Sequence, residues 1–139
     1  FVINPPIALY YMQGLNTTAV HGHTALFGVY GMLGIGLMLF VFRSLYRNIK
    51  WNEKLLAISF WAINIGLMAM VLLSLLPIGF LQTVASVNKG MWYARSAEFM
   101  QLPHMQTLKW LRVIGDTIFT IGTIALCWFV FSLNRTGKK

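Results

Sequence analysis

From residue 1 to residue 42 the chain contains no Asp, Glu, Lys or Arg, and the same four residue types are missing from residues 55–88 and 117–134. Only 10% of the 139 residues are charged, whereas about a quarter of a soluble domain is, so a water-solvated globule is excluded. Acids are scarcest: Glu53, Glu98 and Asp116 stand against eleven Lys and Arg. A single cysteine, Cys127, excludes a disulfide framework and a cysteine metal cluster. It lies within an apolar run and reads as a small packing or lipid-facing side chain. The first residues have no initiating Met, no basic n-region and no small-residue cleavage site, so nothing there reads as a signal peptide. The opening "FVINPPIALYY" instead reads as the interior of a longer polypeptide.

What is present is apolar surface, at 58% of residues. Each charge-free interval holds a run of about 20 apolar residues, enough to span a hydrocarbon core of roughly 30 Å. The expected fold is therefore all-α and polytopic, with three transmembrane helices. A net charge of +8 would suit nucleic acid, but the basic residues flank the apolar runs and form no stripe with aromatics between them. No repeat of 20–50 residues and no low-complexity tract interrupts this pattern.

Asn4-Pro5-Pro6 cannot sit in a helix interior, so residues 1–14 read as an irregular or interfacial lead-in with a short helical turn at "IALYYMQ". Tyr10 and Tyr11 suit a membrane–water boundary. The first span is placed at 15–42, with Asn16, Thr17 or Thr18 as N-cap. A basic loop at 43–54 carries Arg43, Arg47, Lys50 and Lys54 against Glu53. The second span occupies 55–80, and Pro77 is expected to kink or end it. A polar loop at 81–104 precedes the third span, 105–133, and a basic tail, 134–139. The excess of Lys and Arg in the first loop and the tail places both in the cytoplasm and the 81–104 loop outside. His21, His23, Arg112 and Asp116 then share a depth near the outer face. Three spans enclose little, so the rest of the same polypeptide or a partner is expected to supply further walls.

Two ionisable rings, His21 and His23, stand in the apolar stretch "TTAVHGHTALFGVYG". Such groups within a span are costly and point to function. On an α-helix, residues i and i+2 are separated by about 200°, so the two rings face opposite sides and serve different partners. Axial ligation of two haems is one reading, because neutral imidazole is a common haem ligand. Hydrogen bonding to neighbouring helices, or lining a wet path, is the other. Gly22 lies between the two ring directions, and Gly28, Gly31, Gly34 and Gly36 extend a smooth surface that permits close approach of a helix or a haem.

The segments "INPPIALYYMQGLNTTAVHGHTALFGVYG", "GMWYARSAEFMQ" and "WLRVIGDTIF" together resemble the C-terminal part of the large catalytic chain of bacterial respiratory nitric oxide reductases, within the haem–copper oxidase superfamily. The quinol-dependent single-subunit type is the nearest match. The resemblance implies three helices of a larger haem–copper oxidase-like bundle in a bacterial inner membrane. It implies two haem b groups, with His21 as proximal ligand of the high-spin haem and His23 as an axial ligand of the low-spin haem. It also implies a non-haem iron whose ligands lie outside this chain, so that these residues do not catalyse alone. The implied reaction of denitrifying respiration is reduction of two NO to N2O and water by electrons from quinol. Implied partners are quinol, nitric oxide, the lipid bilayer and the rest of the polypeptide, with no nucleic acid; a homodimer is compatible.

Asp116 matches the location of a quinol-contacting carboxylate in the family. Without the resemblance it reads as an ion-pair partner of Arg112 four residues earlier. Lys89 and Arg95 read as solvated loop charges, His104 as facing water, Trp92 and Tyr93 as interfacial anchors, and Asn64 as bonded across to another helix. An oxygen-reducing oxidase would share the histidine motif. A haem-free transporter or scaffold would use the histidines as a path.

Overall fold

A computed structural model describes residues 5–137, with side chains for residues 5–133. Every regular element among them is helical. Three helices are long and apolar enough to cross a membrane: Asn16–Leu45, Glu53–Lys89 and Pro103–Leu133, the last continuing in helical form to Gly137. Short helices occupy Pro6–Met12, Met91–Arg95 and Ala97–Met100. Pro6 opens the first of these, where its missing N–H has no intrahelical acceptor to lose. Residues 1–4 and the side chains of the basic tail lie outside the described residues.

The second helix does not stop near Phe80 but runs to Lys89. A π-helical turn at Val71–Leu75 comes just before Pro77. The wider turn resets the ladder where Pro77 lacks an N–H and its ring would crowd the carbonyl of residue 73, so the helix absorbs the proline. Termination falls at Gly90, whose φ of +90° is open to glycine and costly for other residues. At the start of the first helix the N-cap is Leu15, with no side-chain cap bond, rather than Asn16, Thr17 or Thr18. Thr18 Oγ1 reaches back instead to accept from the Gly14 N–H at 3.0 Å, and Asn16 is drawn away to Gln82.

The second and third helices pack as a pair, and glycine sets their separation. A Cβ at Gly66 would lie 2.5 Å from the backbone nitrogen of Phe119; one at Gly115 would lie 2.5 Å from that of Met70. At Gly122 it would lie 2.7 Å from the nitrogen of Ile63. These are backbone-to-backbone contacts, which a membrane helix pair gains through small residues rather than through hydrophobic burial. The first helix joins this pair chiefly at its two ends. At one end, Gln82 Oε1 accepts from the backbone N–H and the side-chain amide of Asn16, both at 2.9 Å, while Gln82 Nε2 donates to the Ala94 carbonyl at 3.1 Å. Gly79 lets the turn at Thr17 approach closely there. At the other end, Trp51, Phe129 and Leu133 are buried together, with Leu39 and Phe42 of the first helix and Tyr46 just past its end packed on them.

None of the most apolar stretch of the first helix is buried, against 28% and 17% for the corresponding stretches of the second and third. The histidine-bearing helix is thus the one whose middle is left uncovered. Among the described residues Asn64 bonds within its own helix: its Nδ2 donates to the Phe60 carbonyl at 2.8 Å, since the carbonyl four residues back is within reach of a short amide.

Candidate functional site

His23 lies in the first helix where that helix changes character. Gly22–Gly31 form ten residues of π-helix between α-helical flanks. His23 Nδ1 lies 2.8 Å from the Ala19 carbonyl, and Thr24 Oγ1 donates to the Val20 carbonyl at 2.7 Å. Both bonds occupy acceptors four residues back, the ones an α-helical ladder uses. Thr117 and Thr120 make the same back-bond in the third helix without widening it, so the threonine bond alone does not produce the π turn. The histidine bond and the open glycine Gly22 distinguish this segment. A wider turn advances each residue through less rotation than an α-helix does, bringing His21 and His23 nearer to direct opposition than 200°.

The bond to Ala19 has a chemical consequence. A carbonyl only accepts, so Nδ1 of His23 carries the proton, and in the neutral ring Nε2 keeps its lone pair. Metal-ligating histidines are held in this way, with the second ring nitrogen donating to a carbonyl that fixes tautomer and orientation. His21, by contrast, is exposed and lies off the groove that His23 lines.

That groove has a volume of about 720 Å³ and runs between the first helix and the paired second and third. Apolar walls come from Leu26, Phe27, Leu67, Met70 and Phe119, while His23, Arg112, Asp116 and Thr120 supply polar groups. Phe27 and Phe119 meet edge to face at 5.1 Å and bridge the first helix to the third. Mostly apolar walls with a few convergent polar groups are the usual make-up of a cofactor or small-molecule site. Arg112 Nε alone faces the carboxylate of Asp116, at 3.4 Å from Oδ1 and 3.3 Å from Oδ2. The pair is therefore not a two-nitrogen fork, and the terminal nitrogens of Arg112 have no partner among the described residues. They can receive a second carboxylate while Nε holds Asp116.

From the sequence, Asp116 and the histidines belong at one depth; the structure puts Asp116 and His23 on one groove and leaves His21 outside it. Arg112 as an available donor is not evident from the sequence, and neither is the packing by Gly66, Gly115 and Gly122. The seven-residue spacing of Gly115 and Gly122, two helical turns, is the signal that points to it. Arg95 is exposed and donates to the Gln13 carbonyl, pinning the turn at Gly14. Lys89 lies over the Tyr93 ring at 4.5 Å, and His104 and Trp92 are exposed. Among the described residues no three His, Cys, Asp or Glu side chains converge, so these residues do not fit a non-haem iron.

Three membrane-length helices, with His23 lining a groove between them, are those of a multi-pass membrane protein. Residues 1–118 match the family described as cytochrome c and quinol oxidase polypeptide I, and the chain belongs to that family, the haem–copper oxidase superfamily. It is also similar to one of the chains of the nitric oxide reductase of Stutzerimonas stutzeri, at 25% identity over 93% of this chain. The chain spans 27% of that relative's length.

Proposed function

We propose that this chain is the haem-binding part of a nitric oxide reductase of a bacterial inner membrane, which reduces two NO to N2O and water with electrons from quinol. The observation that supports it most is the His23 ring, held by the Ala19 carbonyl with Nε2 free beside a 720 Å³ groove. The similarity to a nitric oxide reductase chain supports the substrate. When bound, haem iron supplies one-electron transfer and a centre for NO.

In this reading His23 Nε2 would hold the iron of one haem b in the groove, and exposed His21 would hold that of a second haem b on the opposite side. Such a groove fits a flat apolar macrocycle, and Arg112 has terminal nitrogens available for an acid substituent. Asp116 contacts the quinol headgroup. Its carboxylate accepts a hydrogen bond from a quinol hydroxyl and takes the proton as the quinol is oxidised, a role for which partial exposure of the side chain, 47%, is suited. Arg112 Nε then holds the carboxylate in place. Non-haem iron ligands and the second ligand of the low-spin haem belong to other parts of the polypeptide.

The test is a reduced-minus-oxidised optical spectrum of the complete purified protein, followed by NO and O2 consumption with a quinol. Absence of b-type bands would end the haem reading. The family match to oxidases favours oxygen reduction as the second reading, and O2 consumption without N2O formation would select it.

A further inference from the structure

Arg112 and Asp116 carry the only formal charges among the described residues that line the His23 groove. The first helix adds one titratable group there, His23, and the second adds only the apolar Leu67 and Met70. Both charges lie within a membrane span, where an ion is costly and points to function. A pair that served only to cancel two charges is expected as a two-nitrogen fork at about 2.7–2.9 Å. Here Nε alone meets the carboxylate, at 3.3 and 3.4 Å, and no other group among the described residues bonds to it. The Thr120 hydroxyl, on the same groove, is spent on the Asp116 backbone carbonyl at 2.7 Å. The acid is therefore held by one loose contact and is open to a proton, whereas the guanidinium stays charged whatever the acid does.

The groove's volume of about 720 Å³ corresponds to about 10 Å across. At that range one unit charge shifts a charge-transfer equilibrium by about tenfold, taking an effective dielectric constant of about 20, which suits half-exposed side chains such as these. An electron arriving on a haem iron lowers the charge there by one, so a nearby cation favours the reduced form and an anion the oxidised form. While Asp116 is ionised the pair is close to neutral; once it is protonated, the Arg112 charge stands uncompensated. We propose that Arg112 and Asp116 set the reduction potential of the haem that His23 holds, and that a proton arriving on Asp116 raises it. The proposal rests on the haem reading and deepens it. Quinol gives up two electrons and two protons, and each passage puts one proton on the carboxylate and one electron on the ferric iron, the first favouring the second. By reciprocity the electron holds the proton on Asp116 by the same factor.

Redox titration of the complete purified protein with chemical mediators tests it without quinol or NO. The b-type bands that depend on His23 are followed at pH 8, where a carboxylate is ordinarily ionised. Asp116→Asn keeps the size of the side chain and removes the negative charge, so the midpoint potential should rise by about 60 mV, a tenfold change in a one-electron equilibrium. Arg112→Gln should lower it by about as much, and the double variant should return to within about twofold of wild type, about 20 mV. Loosening of the groove would admit water in both single variants and move both potentials the same way, so opposite signs separate charge from damage. If one single variant fails to bind haem, the sign of the other decides. Unmoved potentials, or shifts of the same sign, with the bands intact would overturn the proposal and leave the haem reading standing. Absence of b-type bands from the wild-type protein would overturn both.

Discussion

Gly66→Ala perturbs the contact that sets the distance between the second and third helices. The added Cβ would meet Phe119 at 2.5 Å from its nitrogen, 2.7 Å from its Cα and 2.8 Å from its Cβ, and none of these is the flexible end of a side chain. Ordinary contact begins at 3.4 Å, so the helices must separate locally by about 0.9 Å or shift along each other. Overpacking of this kind costs about 1–3 kcal/mol, and lost backbone contact adds to it because membrane helices associate through close van der Waals packing. Leu67 and Met70, which follow Gly66, and Phe119 all line the His23 groove, so its width should change with the helix spacing. Gly34→Ala is the control: the first helix is open there, with nothing within 4 Å of an added Cβ, and alanine is the better helix former. Unfolding of purified variants in mixed micelles, followed by circular dichroism, should show Gly66→Ala destabilised by about 1–3 kcal/mol and Gly34→Ala within about 0.5 kcal/mol of wild type. Equal stability of the two variants would refute glycine-set packing.

Gln82→Leu removes two acceptor contacts to Asn16 and a donor contact to Ala94, and at about 1 kcal/mol each should cost about 2–3 kcal/mol in the same assay; Thr83→Val, which loses one back-bond within its own helix, should cost less than about 1 kcal/mol. Asp116→Asn should depress quinol-driven turnover more than turnover with an artificial electron donor, because it removes a proton acceptor while the amide keeps the size of the side chain that lines the groove. Equal loss with both donors would remove Asp116 from the quinol site.

The three membrane helices are legible because charge is excluded from apolar spans by solvation cost, and that cost is written directly in the gaps at 1–42, 55–88 and 117–134. Pro77, expected to kink or end the span, does not end the helix: a π turn ahead of it accommodates the missing N–H, and nothing in "VLLSLLP" announces that turn. Asn64 reads as bonded to another helix because bonding across helices and back-bonding place identical demands on the sequence. The facing of helices is harder still. Gly66, Gly115 and Gly122 are diagnostic only once it is known which faces meet, whereas an added Cβ at Gly34 or Gly36, in an equally glycine-rich stretch, would meet nothing within 4 Å among the described residues. In the site, His23 is conspicuous by residue type alone, but its tautomer depends on the distance to Ala19, and the availability of Arg112 depends on which of its nitrogens meets Asp116.

The most direct test of the central claim compares reduced-minus-oxidised spectra of His21→Ala and His23→Ala in the complete protein. The account predicts that His23→Ala loses the low-spin haem b signal and retains high-spin haem, while His21→Ala does the reverse. Loss of both signals to the same extent in both variants, or of neither, would contradict it.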